Sequence, residues 1–145
     1  MPQLTSDRLE HMLTEYGWTF ESTGENAWLT GFQGEQRLFP LSIRLTQTCV
    51  SFEVRPLVDL VLDSVSCPVL SREMLELNGR LQLVKLAVSE RGEVSLTCQV
   101  LANGFNGDML GRILGIIGYY ADEVAPEIYH LIAAVGHYGR PTLLS

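Results

Sequence analysis

The sequence of 145 residues lacks the short motifs by which most catalytic sites are recognised. It contains no glycine-rich phosphate-binding loop, no nucleophile elbow, and no histidine or cysteine pair in the HExxH or CxxC spacing of metal sites. We therefore expect no enzymatic activity, no metal and no cofactor.

Cysteine is scarce, since Cys49, Cys67 and Cys98 are odd in number and far apart in the chain. This usage is typical of a reducing compartment, so we expect a cytoplasmic protein. Cys98 alternates with apolar residues and is expected to be a small buried hydrophobe. Cys49 is expected nearer the surface, but no basic residue flanks it to activate a thiolate. An enzyme built on Cys49 is the least favoured hypothesis.

Long apolar runs are also missing. No stretch approaches the roughly 20 apolar residues that a membrane-spanning helix needs. The start, MPQLTSDRLEHML, has no basic segment followed by an apolar one, so we expect no signal peptide.

Basic residues are outnumbered, because 10 Lys and Arg stand against 17 Asp and Glu, for a formal charge of −7. Nucleic acids and anionic membranes require the opposite balance, so we expect neither as a partner. The acidity keeps the protein soluble and agrees with a basic or amphipathic partner. The apolar fraction of 46% is enough for one core, and we expect a single domain over residues 1–145.

The first third of the chain predicts a helix followed by strands. TSDRLEHMLTEYG has its apolar residues at helical spacing, with Thr5 or Ser6 as N-cap and Gly17 as the stop. WTF, AWLTGF, FPLSIRL and CVSFEV then alternate apolar and polar residues, as in a sheet with one covered face. Trp28 and Phe32 share a face of the second of these segments, as core aromatics or as a peptide-docking surface.

SCPVLSREMLELNG predicts a second helix, capped by Ser66 and stopped near Gly79, with one apolar face made of Leu70, Met74 and Leu77. The segment LVKLAVSERGEVSLTCQVL then predicts a hairpin. Only a three-residue loop, Glu90–Gly92, opposes Val88 to Val94 and keeps the apolar residues of both strands on one face. Gly92 must then adopt a positive φ.

DMLGRILGIIGYYADEV predicts a long helix whose apolar arc is bordered by a stripe of Gly111, Gly115 and Gly118. The stripe allows close approach either by another element of the same chain or by a second subunit. Asp122 continues the stripe and is expected to accept backbone N–H groups from whatever packs there.

Pro126 is expected to kink or restart this helix. PEIYHLIAAVG then offers a second apolar face, covered either by the core of the same chain or by a homodimer partner. The tail, residues 136–145, is expected to fray. The residues expected at a partner surface are Gly111, Gly115, Gly118, Ile128, Leu131, Ile132 and Val135.

Isolated polar residues give no catalytic constellation. His11 and His130 lie on helices without an acidic or cysteine partner at ligand spacing, and we expect both at the surface. The loop carboxylates Glu21 with Glu25, and Asp59 with Asp63, are expected to be solvated.

The order is therefore helix, three or four strands, helix, two strands and a long helix. Strands grouped in this way cannot all be parallel with short crossovers. We predict an α+β fold with a mostly antiparallel sheet.

The run LNGRLQLVKLAVSERGEVSLTCQVLANGFNGDMLGRILGIIGYYADEVAPEI resembles the YbjN-like family. The match falls on Leu77 with Asn78, on Lys85, on Gly92–Val94 and on Tyr120–Pro126. GENAWLTGFQGEQRLFPLSIRL also resembles the family, less specifically. The chain departs from the pattern in LVDLVLDSVSCPV and after residue 135.

The resemblance implies the fold of type III secretion chaperones, which are small, acidic, dimeric α+β proteins. Some members of the family are called bacterial sensory transduction regulators, a label that defines no reaction, and the family supplies no catalytic residues. The leading hypothesis is a homodimeric, non-enzymatic interaction or chaperone-like module that binds an extended or amphipathic protein segment. The alternative is a regulatory domain with a small-ligand pocket between the sheet and the C-terminal helix.

Overall fold

A computed structural model describes residues 3–62, 67–135 and 138–139 of the chain. Within these described residues, three helices and eight strands follow one another, in the order α1 Ser6–Tyr16, β1 Glu21–Gly24, β2 Ala27–Gln33, β3 Leu38–Leu45, β4 Cys49–Val54, β5 Val61–Leu62, α2 Cys67–Asn78, β6 Val84–Val88, β7 Val94–Leu101, α3 Gly107–Val135 and β8 Tyr138–Gly139. The predicted α+β class and the predicted order of helices and strands are confirmed. The predicted first strand, WTF, is wrong, because residues 18–20 are not in a strand and β1 begins only at Glu21.

The main sheet has six antiparallel strands in the order β1-β2-β3-β4-β7-β6. Its inner face is dry because alternate residues of each strand point to it. In β3 these are Leu41, Ile43 and Leu45, all buried, whereas Ser42 and Arg44 between them are exposed. The predicted alternation is confirmed.

Helix α1 has the predicted ends. The Thr5 side chain accepts the backbone N–H of Arg8 at 3.2 Å, and Gly17 closes the helix with a φ of 92°. Leu9 and Leu13 are fully buried under the helix. The same burial pattern confirms α2, where the predicted face of Leu70, Met74 and Leu77 lies in the core. The proposed cap of α2, Ser66, lies outside the described residues.

The late hairpin has the predicted register. Val88 pairs with Val94, Leu86 with Leu96, and Val84 with Cys98. The loop Glu90–Gly92 is closed by a hydrogen bond from the Gly92 N–H to the Ser89 carbonyl oxygen at 2.9 Å. Gly92 has a φ of 83°, as the three-residue loop requires.

Helix α3 covers the dry face of the sheet with its predicted apolar arc. The buried residues of its first half are Leu110, Ile113, Leu114, Ile117, Ala121 and Val124. The helix continues through Pro126 without interruption, so the expected restart is wrong. Proline removes one hydrogen bond, to the carbonyl of Asp122, and the packing on both sides of it keeps the helix in one piece. None of the helices among the described residues carries an apolar stretch that could cross a membrane.

A second ladder, which the sequence did not predict, lies at the end of the main sheet. Strand β5 pairs with β8 through Val61 with Gly139 and Leu62 with Tyr138. The Leu62 N–H also donates to the Gly92 carbonyl oxygen at 2.8 Å, so the hairpin loop packs against β5. Of the tail that was expected to fray, residues 136, 137 and 140–145 lie outside the described part of the chain.

Asp122 connects α3 to the turn between β2 and β3. Its carboxylate accepts the backbone N–H of Glu35 at 2.9 Å, so the expected role of Asp122 as an acceptor for backbone groups is confirmed. The turn is tight because the Gly34 N–H donates to the Arg37 carbonyl oxygen at 2.8 Å. Helix α3 is thereby fixed to the half of the sheet that contains β2 and β3.

Replacing Gly92 by alanine tests the contact between the hairpin loop and β5. A Cβ on Gly92 would collide with the Leu62 carbonyl oxygen, whereas Gly104 has a φ of 82° and nothing within 4 Å of its Cβ position. We expect Gly104→Ala to cost about 1–2 kcal/mol for its backbone conformation alone. Gly92→Ala should cost about 1–3 kcal/mol more because of the overlap. Equal losses in urea unfolding would contradict the close approach.

Replacing Asp122 tests the connection to the turn. Asp122→Ala removes the acceptor for the Glu35 N–H and should cost no more than about 1 kcal/mol, because the bond is exposed to water. Asp122→Asn keeps a side-chain oxygen and should lose less. If neither substitution lowers the melting temperature, the bond contributes nothing to stability.

Candidate interaction surfaces

The glycine stripe of α3 faces two environments. A Cβ on Gly111 would lie 3.0 Å from Cε1 of Tyr16 in α1, and one on Gly118 would lie 3.9 Å from Cε2 of Phe32 in β2. Gly115 is exposed, with nothing within 4 Å of its Cβ position. Packing within the chain therefore accounts for Gly111, whereas a Cβ at Gly118 would make only an ordinary van der Waals contact and Gly115 is open to a partner.

The second half of α3 folds back on the core of its own chain. Ile128 and Ile132 are each only 1% exposed, so neither is accessible to a partner, although both were expected at a partner surface. Leu131 is half-buried against the same core. The side chain of Val135 lies outside the described residues. Of the two alternatives for covering this face, the structure has the intramolecular one.

A shallow apolar groove of about 520 Å³ lies beside Gly115. Its walls include Leu83 in the segment before β6, together with Ile116, Tyr119 and Tyr120 of α3. Leu83 is 57% exposed and Tyr119 is 61% exposed. Leu83 also has a φ of 69°, a left-handed conformation that costs a non-glycine residue about 1–2 kcal/mol. The groove thus presents large apolar side chains to water.

A second, more polar cleft of about 500 Å³ lies between α3 and the turn that joins β2 to β3. Arg37 crosses it, pairing with Asp59 at 3.3 Å and donating to the Leu57 carbonyl oxygen at 3.1 Å. The guanidinium also lies over the ring of Phe39, 5.2 Å from its centroid. Pro126, Tyr129 and His130 of α3 are among the residues that line the opposite wall.

The charged groups of this cleft serve contacts within the fold. Arg37 bridges two segments, and Asp122 accepts the Glu35 N–H. Among the described residues, no group of three or more His, Cys, Asp or Glu side chains could hold a metal ion. The cleft has room for a small polar molecule, with His130 and Asp59 on its exposed rim. Sequence spacing gave no sign of it, because its walls come from three distant parts of the chain.

The isolated histidines and cysteines occupy separate places. His11 was expected to lack an acidic partner, but its Nε2 lies 2.8 Å from Oε1 of Glu15, with both side chains exposed. Burial raises the pKa of the Cys98 thiol, which is 3% exposed, whereas Cys49 is half-buried. His137 lies outside the described residues.

The aromatic residues of β2 belong to the core. Trp28 is 2% exposed, and its Nε1 donates to Oε1 of Glu10 in α1 at 2.8 Å. Phe32 is half-buried, with ring centroids 5.2 Å from Phe39 and 6.1 Å from Trp18. Of the two alternatives for Trp28 and Phe32, core packing is the one observed.

The two edges of the main sheet differ. At β6 the Asn78 side chain accepts the Leu86 N–H at 2.7 Å and donates to the Leu86 carbonyl oxygen at 3.2 Å. Lys85 donates to the carbonyl oxygens of Asn78 and Leu81 at 2.7 and 2.9 Å. This edge is therefore blocked in the way that protects sheets from unwanted pairing. The other edge, β1, consists of exposed residues.

Comparison with known proteins identifies the fold. No family model matches the sequence, and no curated protein matches it significantly. Solved structures do match. A chain of the ExsC–ExsE complex superimposes with a TM-score of 0.62 at 18% identity, over 86% of this chain and 96% of that one.

Two further structures agree with this likeness. YbjN from E. coli superimposes with a TM-score of 0.60 at 14% identity, over 87% of this chain and 96% of that one. A chain of the heterodimeric ExoU–SpcU complex from the type III secretion system of Pseudomonas aeruginosa gives 0.57 at 17% identity, over 81% and 95%. The chain thus has the fold of YbjN and of these type III secretion proteins, as its sequence resemblance predicted.

Proposed function

We propose that this protein is a non-enzymatic interaction module, chaperone-like or regulatory, that acts in the cytoplasm as a homodimer of one-domain chains. The observation that carries the proposal is an apolar strip on the outer face of the sheet. There Leu29 of β2 is 40% exposed and Leu38 of β3 is 63% exposed. A sheet face turned to water usually carries polar residues instead.

On this face of β2 and β3, one opposed pair of residues lies between the two leucines. Gly31 pairs with Pro40, and Cδ1 of Leu38 lies 3.9 Å from the position that a Gly31 Cβ would take. Because Gly31 has no side chain, the surface has a shallow depression between the two leucines. An extended segment lying there would cover both leucines and reach the open edge of β1, whose N–H and C=O groups can pair with a strand.

The fold supports the same proposal. Two of the superimposed structures are complexes between two different proteins, ExsC with ExsE and ExoU with SpcU. The formal charge of −7 favours a neutral or basic segment over an acidic one. We therefore infer that the partner is an extended or amphipathic protein segment with apolar side chains and little negative charge.

Charging the strip tests this function. Leu29→Glu with Leu38→Glu should weaken partner capture from the native cytoplasm at least about tenfold, because two apolar contacts would be replaced by charges. The matched control is Leu75→Glu on α2, since Leu75 is 70% exposed and lies away from the strip. The measurement is the amount of each captured protein bound by wild type, by the double variant and by the control. The control should capture as much as wild type. Capture that is unchanged by the double substitution would contradict the proposed surface.

A second candidate function is supported by the cleft beside Arg37. Its position, between the sheet and α3, is where a regulatory small ligand would contact both layers of the fold. A ligand that binds there should raise the melting temperature of wild type and lose this effect in His130→Ala, which removes an exposed wall residue. A stabilising ligand that acts equally on both proteins would bind elsewhere.

A further inference from the structure

The polar cleft between α3 and the turn after β2 has one wall that is a single face of the helix. Four of the residues that line it are Asp122, Ala125, Pro126 and Tyr129. Residues three, four and seven positions apart lie on the same side of a helix. Asp122 and Tyr129 are separated by about 10 Å along the axis. The wall therefore has an acidic end and an aromatic end.

Pro126 leaves a hydrogen-bond acceptor without its usual donor in this wall. Because proline has no N–H, the Asp122 carbonyl oxygen lacks the donor that the fourth residue along a helix normally supplies. The Asp122 carboxylate accepts one N–H, from Glu35 at 2.9 Å, and its two oxygens have room for more donors. A molecule that binds at this end of the cleft therefore has to bring donors.

The charge of the cleft is negative. One guanidinium, that of Arg37, stands against the three carboxylates of Glu35, Asp59 and Asp122. Arg37 pairs with Asp59 at 3.3 Å and also donates to the Leu57 carbonyl oxygen, so two carboxylates are left over. A cation is attracted to this charge distribution and an anion is repelled.

Aromatic rings favour a cation as well. Tyr129 is 45% exposed, and its ring centroid lies 6.2 Å from that of His130 on the rim of the cleft. The face of an aromatic ring attracts an ammonium or guanidinium group. The cleft already contains one such contact, since the Arg37 guanidinium lies over the ring of Phe39.

We propose that the cleft binds a small organic cation. Its ammonium or guanidinium group donates to Asp122 and Glu35, and its aliphatic part lies along the wall toward Tyr129. The inference rests on the second candidate function and names the class of its ligand. The same group could come from a free amine or from a lysine side chain of a protein. The volume of about 500 Å³ is that of a small-molecule pocket, which favours the free amine.

Calorimetric titration of the whole protein with matched probes tests the charge preference. The probes are putrescine, the neutral 1,4-butanediol and the anionic succinate, which have carbon chains of equal length. Putrescine should bind with a dissociation constant at least about tenfold below those of the other two. Tighter binding of butanediol or succinate would overturn the cation and leave the cleft as a small-ligand site. If none of the three binds at millimolar concentrations, the inference is overturned and the second candidate function loses its support.

A capped Gly-Lys-Gly peptide distinguishes the two sources of the cation. It carries the same ammonium group on a protein-like chain, and it should bind more weakly than putrescine because its backbone needs space beyond the cleft. A peptide that binds more tightly than putrescine would overturn the free amine as the occupant.

Two variants locate the binding site. Glu35→Gln removes a charge but keeps the backbone N–H that Asp122 accepts, and it should raise the dissociation constant of putrescine about threefold. Tyr129→Leu removes the ring but keeps an apolar side chain, and it should also cost about threefold. The matched controls are Glu73→Gln on α2 and Tyr119→Leu on α3, which are exposed and do not line the cleft. Both controls should bind as wild type does.

Circular dichroism of each variant establishes that the fold persists. If putrescine binds to all four variants as it binds to wild type, it is attracted only by the overall negative charge of the protein. That result would overturn the cleft as its site.

Discussion

The dry face of the sheet has to be covered, and the rest of the structure follows from how α3 covers it. β3, β4 and β7 direct aliphatic and aromatic side chains such as Leu41, Phe52 and Leu96 to one side, all at most 1% exposed. Each such burial contributes about 1.5–3 kcal/mol, so leaving the face open to water would cost more than the stability of a typical domain. Ile128 and Ile132 extend the cover beyond Pro126. The core is therefore complete within one chain, and only the outer surfaces of the sheet and helix are left for partners.

The residues that carry the sequence resemblance have architectural roles in the structure. Asn78 satisfies the outer edge of β6, Lys85 satisfies the carboxyl end of α2, Gly92 lets the hairpin loop touch β5, and Asp122 holds the turn after β2. None of these contacts requires a substrate or a cofactor. The residues behind the resemblance thus hold the fold together, which explains why the resemblance predicted the fold well and a function only in outline.

Most of the fold could be predicted because it rests on local periodicity. The alternation in β3, the capping at Thr5 and Gly17, and the hairpin register each depend on residues close together in sequence. The surfaces could not be predicted in the same way. An apolar helical face does not tell what will cover it, so the burial of Ile128 stayed one of two alternatives. The cleft around Arg37 and the two-residue strands β5 and β8 leave no periodic pattern of apolar residues in the sequence. Pro126 was expected to kink or restart the helix, but the packing on both sides of it keeps α3 in one piece.

Helix α3 is a permanent part of the core, and native-state hydrogen exchange of the whole protein measures this most directly. The amides of Leu110, Leu114, Ile117 and Ala121 should exchange only through global unfolding, with the same opening free energy as the amides of β3 and β4. Exchange of these helix amides through local opening, at a free energy well below that of the sheet, would show that the helix leaves the sheet in the native state. That result would contradict the claim that the core closes within one chain.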